Sequence, residues 1–443
     1  MSRTIAEFAS TARGVAAQVL KAVWVDQAYA AAALSIAIDQ SDLSERDRRL
    51  CTELVYGTLR TAPHLERSLA AFGKLKQSDP VLMSHLLVAA YQIAFLDRVP
   101  VHAAVDEAVG AIVATRGKQV GGFANAILRK FAQKQKDEPV SFEDAVFQSS
   151  PSWLRKRLFR DVGEEEARAL LVPERAPRIH LRFRSVAPLP SWVQEEATRV
   201  SSELDIFRYE GGGDPRKRAE YAEGAFVVQE LGAALLGYLA GARENETVLD
   251  VCAGRGQKSM QLAEAVGPGG HVVATDLHEH KLVALRGEAE RLGLPVETGV
   301  WDWTTPPPAH WQSAFDRVLV DAPCSGVGTL RRRPEILRRL TPTDPTRLSE
   351  LQWTLLEHAA LAVKPGGILV FATCSVLDEE GPKVVDRLME TGQFRPVSPP
   401  TRADGLLGIS VEIPSPAFRL LPRAHDTDGY FIARLEKARP LGN

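Results

Sequence analysis

The chain has 443 residues, 45% of them hydrophobic, with 54 Lys+Arg against 56 Asp+Glu and a formal net charge of −2. That length predicts two or three domains rather than one core, and the near-neutral balance leaves any nucleic-acid contact to local basic clusters. No apolar run approaches the roughly 18 to 20 residues of a membrane span, Met1 to Gly14 lacks a signal-peptide layout, and the four cysteines at 51, 252, 324 and 374 include no CxxC pair, so a soluble, cytoplasmic protein with reduced thiols, no metal knuckle and no membrane partner is expected.

Residues 10 to 135 predict an all-helical bundle, with apolar residues at three and four spacing in Val15 to Val25, Leu50 to Leu59, Leu82 to Leu96 and Val101 to Val113. Cap and turn residues such as Ser41-Asp42-Leu43-Ser44-Glu45 and Arg98-Val99-Pro100 separate the segments. Cys51 falls on an apolar helix face and is expected to be a small buried hydrophobe; His102, at a helix start, is expected to be a cap or core residue rather than a ligand. From 141 to 222 the composition is mixed, with prolines at 151, 173, 177, 188, 190 and 215, an alternating Ile179-His180-Leu181-Arg182-Phe183, and Gly211-Gly212-Gly213. This stretch is expected to be a small connecting subdomain.

Strands then alternate with helices, the pattern of a parallel sheet flanked by helices. The strands are expected at Thr247 to Val251, His271 to Thr275, Val296 to Val300, Phe315 to Val320, Gly367 to Ala372 and Tyr430 to Leu435, with helices at Gln257 to Val266, Lys281 to Leu292, Leu348 to Val363 and Lys383 to Met389. Basic runs occur at Arg155-Lys156-Arg157 with Arg160, at Arg178 to Arg184, at Arg216-Lys217-Arg218, and at Arg331-Arg332-Arg333 with Arg338 and Arg339. Each by itself is expected to be a solvated face. The last differs in following a cysteine motif directly.

The stretch Val248 to Ser259 is a hydrophobic strand, a glycine-containing turn and a helix start, which lets backbone approach a ligand and presents free helix amides to an anionic group. Asp276 ends the next strand, where a carboxylate can accept both ribose hydroxyls of an adenosine ligand. Asp302 follows the third strand and Asp321 the fourth. One such aspartate is more simply a turn or helix cap; four at successive strand ends favour a ligand crevice. A dinucleotide enzyme would share these features, so the cysteines must discriminate.

Asp321-Ala322-Pro323-Cys324-Ser325-Gly326 and Thr373-Cys374-Ser375 each end a buried-strand pattern. C5 of a cytosine is a poor nucleophile until a thiolate adds at C6 and makes C5 enamine-like. Such a thiol must be held as thiolate by nearby charge, and an acid such as Asp321 can hydrogen-bond the N3 and N4 edge of the base.

These motifs, with Lys364-Pro365-Gly366-Gly367 leading into the second, resemble those of the Sun/NOL1/NOP2 family of S-adenosylmethionine-dependent RNA cytosine-C5 methyltransferases. Arg419-Leu420-Leu421-Pro422 to Asp428-Gly429-Tyr430-Phe431 is similar to the family's closing strand. Leu43 to Arg48, Glu53 to Arg60, Phe95 to Pro100, Ala103 to Val109 and Phe123 to Arg129 resemble the NusB-like domain fused to bacterial members that act on small-subunit (16S) ribosomal RNA. The resemblance implies a NusB-like all-helical RNA-binding domain over 1–140, a connecting α/β subdomain over 141–222, and a Rossmann-like class I methyltransferase domain over 223–437. It implies S-adenosyl-L-methionine as cofactor, ribosomal RNA as partner, and a monomer. Cys374 is then the nucleophile, Cys324 assists breakdown of the adduct and Asp321 serves both catalysis and cofactor. Cys252, Ala253, Gly254, Arg255, Gly256, Gln257 and Lys258, with Asp276 and Asp302, complete the cofactor site.

The family's first turn is usually Cys-Ala-Ala-Pro-Gly-Gly-Lys-Thr, whereas this chain has Cys252-Ala253-Gly254-Arg255-Gly256-Gln257-Lys258-Ser259. A left-handed Gln257 would cost about 1 to 2 kcal/mol, or about ten- to thirty-fold in affinity. That substitution motivates a rival reading, a non-catalytic RNA-binding or assembly factor. An oxidoreductase on the same sheet leaves the cysteine pair unexplained.

Overall fold

The computed structural model describes residues 5–75, 79–172, 178–184, 188–201, 204–398 and 417–439. Residues 1–4, Pro173 and Pro177 lie outside the described residues. The chain divides into two compact units, the first formed by 5–156 with Leu171, Val172 and Leu330–Leu340 and the second by the other described residues.

In the first unit the three-and-four apolar spacing folds as the helices Ala12–Val25, Ala30–Asp39, Glu45–Ala70, Pro80–Phe95, Val101–Arg116, Lys118–Asp137 and Phe142–Ser149. Capping fixes where they begin: the Ser44 hydroxyl accepts from Asp47 N at 3.2 Å, and Asp79 accepts from Val81 N and Leu82 N ahead of Pro80. Leu20, Leu54, Leu65, Leu86, Leu87 and Phe131 form the core. Cys51 is fully buried among them, and burial pushes its thiol up to about 12. His102 is the second residue of its helix but is exposed, neither cap nor core.

The segment Leu330–Leu340 is built into this helical unit. Arg60 donates to the Arg331 carbonyl at 2.8 Å, Ala30 N donates to the buried Glu335 carboxylate at 3.2 Å, and Arg339 donates to the Ala28 carbonyl at 2.6 Å. Arg338 pairs with Glu66 at 2.6 Å and lies over the Trp24 ring. Part of the basic run after the first cysteine motif is therefore anchoring structure rather than a solvated face.

The second unit carries two sheets. The smaller has β1 (Ile179–Phe183), β2 (Ala197–Arg199), β3 (Ile206–Tyr209) and β4 (Phe226–Val228), antiparallel in the order β2-β3-β1-β4. Leu181, Phe183, Phe207 and Phe226 fill one face. Arg182 and Arg184, from a run expected to be solvated, are buried on Glu264 instead. Alternation put them on the face opposite Leu181 and Phe183, and that face is covered.

The larger sheet contains β5 (Thr247–Asp250), β6 (His271–Asp276), β7 (Glu297–Val300), β8 (Phe315–Asp321), β9 (Val363–Thr373), β10 (Phe394–Pro396), β11 (Ala417–Leu420) and β12 (Tyr430–Lys437). Its order is β10-β12-β9-β8-β5-β6-β7, with β11 also on β12. The strands β5 to β9 pair in parallel and β12 runs antiparallel to β9. Val248, Leu249, Val318, Leu319, Val320, Leu369 and Val370 are all fully buried, as a parallel sheet covered on both faces requires. The chain reverses its direction of travel across the sheet at β5, which puts the crevice of an open α/β sheet at the carboxyl ends of β5 and β8. Among the described residues no helix is long and apolar enough to cross a membrane.

Candidate active site

At the end of β5 the chain turns through Val251 to Gly256 into the helix Gln257–Val266. Gly254 has φ +59 and Gly256 has φ +86, so both left-handed positions fall on glycine. Gln257 is the first residue of the helix, outside the left-handed region, and its side-chain Nε2 donates to the Val228 carbonyl at 3.1 Å. The steric cost considered for a left-handed Gln257 is absent. A Cβ on Gly256 would lie 2.4 Å from Leu285 Cγ, so this position is closed to side chains, whereas one on Gly254 would meet nothing within 4 Å.

Asp276, at the end of β6, accepts from Gly254 N at 3.1 Å, His278 N at 2.9 Å and Lys281 Nζ at 3.1 Å, tying the turn to the second strand. Asp250 is fully buried; it accepts from Ser259 Oγ at 2.7 Å while its Oδ1 has no hydrogen-bond partner. Burial, opposed by Ser259 and reinforced by the charge on Asp321, raises its pKa to about 7. Open space before Gly254, an orphaned buried carboxylate oxygen and unshared amides at a helix start fit an adenosine-type cofactor with a charged tail. Cys252 is half-buried, and burial followed by the neighbouring aspartates drives its thiol far above the ordinary range.

Asp302 is exposed and closes its own turn, accepting from Thr304 N at 2.9 Å and Thr304 Oγ1 at 2.7 Å. Those two bonds hold its carboxyl below the usual value. Its geometry is that of an Asx turn.

Asp321 ends β8 and receives Lys258 Nζ at 2.6 Å from the first turn of the Gln257–Val266 helix. Burial works against the Lys258 ammonium, but the charges of Asp321, Asp250 and Cys374 outweigh it and keep its pKa above the ordinary lysine value. Lys258 is thus coupled by charge to the second cysteine as well as to the acid.

The two cysteine motifs meet because β8 and β9 are neighbours in parallel register, with Asp321 opposite Ala372 and Ala322 N donating to the Ala372 carbonyl at 2.9 Å. Both loops leave the same edge, and Cys324 Sγ lies 3.2 Å from Cys374 Sγ. Both thiols are partly exposed. The hydrogen bond to Cys374, then burial, then the charges of Cys374 and Glu380 hold the Cys324 thiol well above its ordinary pKa. Behind them Gly328 N donates to the Cys374 carbonyl at 3.0 Å and Gly429 N to the Gly328 carbonyl at 2.7 Å. A Cβ on Gly328 would lie 1.9 Å from the Gly429 carbonyl oxygen, so only glycine permits this approach.

Sequence reasoning missed the Lys258–Asp321 pair, having placed Lys258 in the cofactor turn only. It also missed Glu380, Ser325, Ser375 and Gln352, which surround the thiols. The acidic run Asp378-Glu379-Glu380 soon after Thr373-Cys374-Ser375 was the available signal for Glu380, which ends the short turn; Gln352, in mid-helix, gives none.

Of the remaining basic residues, Arg157 pairs with Glu379 at 3.4 Å, Arg160 with Asp161 at 2.6 Å, Arg216 with Asp214 at 2.8 Å and Arg218 with Glu196 at 2.5 Å. They are engaged within the fold, and those pairs at the surface add little stability each.

Comparison with known proteins identifies both parts of the chain. A family described as 16S rRNA methyltransferase RsmB/F matches residues 238–436, and the NusB family matches residues 10–133. The Bacillus subtilis (strain 168) protein named "Probable ribosomal RNA small subunit methyltransferase B" is 30% identical over 97% of this chain and 99% of its own length. "Ribosomal RNA small subunit methyltransferase B" of Vibrio cholerae serotype O1 is 33% identical over 90% of this chain and 91% of its own. Among solved structures, PH0851 superposes with a TM-score of 0.82 at 25% identity, covering 96% of this chain and 99% of that one. NSun6 from Pyrococcus horikoshii, solved with SFG, shares the fold with a TM-score of 0.56 at 17% identity, over 65% of this chain and 98% of that one. On these matches the chain belongs to the ribosomal RNA small subunit methyltransferase B (RsmB) family, in which a NusB-type helical domain precedes an S-adenosylmethionine-dependent methyltransferase domain.

Proposed function

We propose that this protein methylates C5 of a cytosine in small-subunit ribosomal RNA through a covalent adduct between Cys374 and C6 of the base. Membership of the family makes it an S-adenosylmethionine-dependent methyltransferase of small-subunit ribosomal RNA. The base, the ring position and the covalent route rest on the site, and the 3.2 Å separation of Cys324 Sγ and Cys374 Sγ is the observation that carries them.

Lys258 favours the thiolate of Cys374 by its charge. The thiolate adds to C6, and a proton shared by Lys258 and Asp321 is available to N3 as the ring gains electron density, while Asp321 accepts from the N4 amino group. The Cys252–Lys258 turn and Asp276 would hold S-adenosylmethionine, which when bound would supply an electrophilic methyl group to the activated C5, its S–CH3 bond breaking to leave S-adenosylhomocysteine. The C5 proton then passes to a base, its bonding electrons re-form the C5–C6 double bond, the C6–S bond breaks to return Cys374 as thiolate, and N3 gives its proton back to the Lys258–Asp321 pair. Cys324, in hydrogen-bonding reach of that sulfur, assists its departure. The rival non-catalytic reading drew on a distorted cofactor turn, and with glycine at both left-handed positions it loses that motive.

The test is transfer from methyl-labelled S-adenosylmethionine to unmodified small-subunit ribosomal RNA, followed by nucleoside analysis. Label recovered as 5-methylcytosine supports the reading. Label on another base, or at another cytosine position, overturns it.

A further inference from the structure

One carboxylate joins the two cysteine loops. Glu380 is fully buried on the short turn Asp378–Glu380 that follows β9. Its Oε1 accepts from Ser325 N at 2.6 Å and from Gln352 Nε2 at 3.4 Å; its Oε2 accepts from Ser375 Oγ at 2.7 Å and from Ser325 Oγ. Ser325 follows Cys324, and Ser375 follows Cys374. Gln352 also donates to the Pro323 carbonyl at 2.9 Å, on the other side of Cys324, and Thr373 Oγ1 donates to the Glu380 carbonyl at 3.2 Å, on the other side of Cys374.

Burying a carboxylate is costly unless hydrogen bonds replace water. Among the described residues Glu380 has no ion pair, and its compensation comes from those donors. Burial raises its pKa against the pull of Ser325 and Ser375. A merely structural staple between the loops would not need this charge. Two serine hydroxyls already lie 3.4 Å apart there and could bond directly.

We propose that Glu380 is a positioning residue that fixes the two thiols at working separation, with Ser325 setting Cys324 and Ser375 setting Cys374. This inference rests on the roles assigned to the two cysteines above. A thiol displaced by about 1 Å from the attacking or releasing geometry loses about a hundredfold in rate. The arms are separable: loosening the Ser375 arm slows attack, and loosening the Ser325 arm slows release.

The experiment compares the full chain with Glu380→Gln, Ser325→Ala and Ser375→Ala. It measures kcat, KM for RNA and for S-adenosylmethionine, and the formation and decay of the RNA adduct on a denaturing gel. Glu380→Gln keeps the side chain's shape but turns an amide hydrogen toward converging donors; kcat is expected to fall about a hundredfold with both KM values within about twofold. Ser325→Ala is expected to accumulate adduct, and Ser375→Ala to form it more slowly. A readout independent of RNA is capture of the two thiols by phenylarsine oxide, in which two S–H groups exchange for two As–S bonds with loss of water. Glu380→Gln is expected to weaken that capture at least tenfold. Wild-type kcat and arsenical affinity in Glu380→Gln, or identical adduct kinetics in the two serine variants, would overturn the positioning role. If the wild-type chain captures the arsenical and Glu380→Gln does not, yet no adduct forms in Cys324→Ala, the covalent reading fails and the spacing role stands.

Discussion

Lys258 Nζ sits 2.6 Å from Asp321 Oδ2, joining the turn after β5 to the end of β8. The pair links the glycine turn after β5 to the strand that leads into the Cys324 loop. Lys258→Met would leave Asp321 without its cation and Cys374 without the positive charge coupled to it, and methyl transfer is expected to fall by about a hundredfold or more. The pair also has a signature in stability. The folded pKa of Lys258 is raised, so its contribution is complete below the ordinary lysine value of about 10.4 and is lost as pH rises through the higher folded value. The stability advantage of wild type over Lys258→Met in chemical denaturation should therefore hold at neutral pH and shrink above about pH 10. An advantage that instead grew with alkalinity would contradict the assignment.

The division of labour between the thiols predicts unlike single variants. Cys374→Ala removes the attacking sulfur, so neither product nor denaturation-resistant RNA complex is expected. Cys324→Ala leaves attack intact but removes the group 3.2 Å from the departing sulfur, and a slow-migrating protein–RNA species is expected to accumulate. A denaturing gel of both variants after incubation with cofactor and RNA decides it. The absence of that band in Cys324→Ala would refute the assigned role.

What the sequence made legible follows from the range of the forces involved. The strands β5, β6, β8 and β9 announce themselves as apolar runs because both sheet faces are covered, and the cysteine motifs stand at the ends of two of them. Their closeness needs only that β8 and β9 be neighbours. Glu380 could not be read in the same way, since its donors Ser325 and Gln352 are 55 and 28 positions distant and come together only in the fold. Arg182, Arg184, Arg338 and Arg339 misled for a related reason: a charge run is solvated by default, and only tertiary structure supplies Glu264, Glu66 or the Ala28 carbonyl. Asp302 closes a local Asx turn, a use of the residue that its place after the third strand does not distinguish from a cofactor contact.

Asp250 gives a pH dependence of the opposite chemical type. Its pKa is about 7 in the fold, against about 3.9 for an ordinary aspartate, because burial disfavours the charged form. A carboxyl with a raised folded pKa contributes stability below its unfolded value and loses that contribution as pH rises through the folded one. The cofactor-free wild type should thus lose ground to Asp250→Asn between about pH 4 and pH 7, with the difference constant above about pH 8. Urea unfolding of both proteins across that range tests it. A difference independent of pH would show that Asp250 is ionised throughout.

The altered cofactor turn yields the sharpest contrast between neighbours. Gly256 is left-handed at φ +86 and its missing Cβ is replaced by Leu285, so Gly256→Ala combines backbone strain with a 2.4 Å clash. It is expected to cost about 2 to 4 kcal/mol of stability and to displace the start of the Gln257–Val266 helix, weakening cofactor binding with it. Gln257 is already helical, so Gln257→Gly, which restores the family's usual residue, relieves no strain. It should instead lose up to about 1 kcal/mol by putting glycine in a helix and leave cofactor affinity within about threefold. Calorimetric titration of S-adenosylmethionine into the two variants separates the cases. A tenfold gain in affinity for Gln257→Gly would mean that the turn is strained at Gln257 after all, and a wild-type affinity for Gly256→Ala would mean that Leu285 can yield without moving the helix.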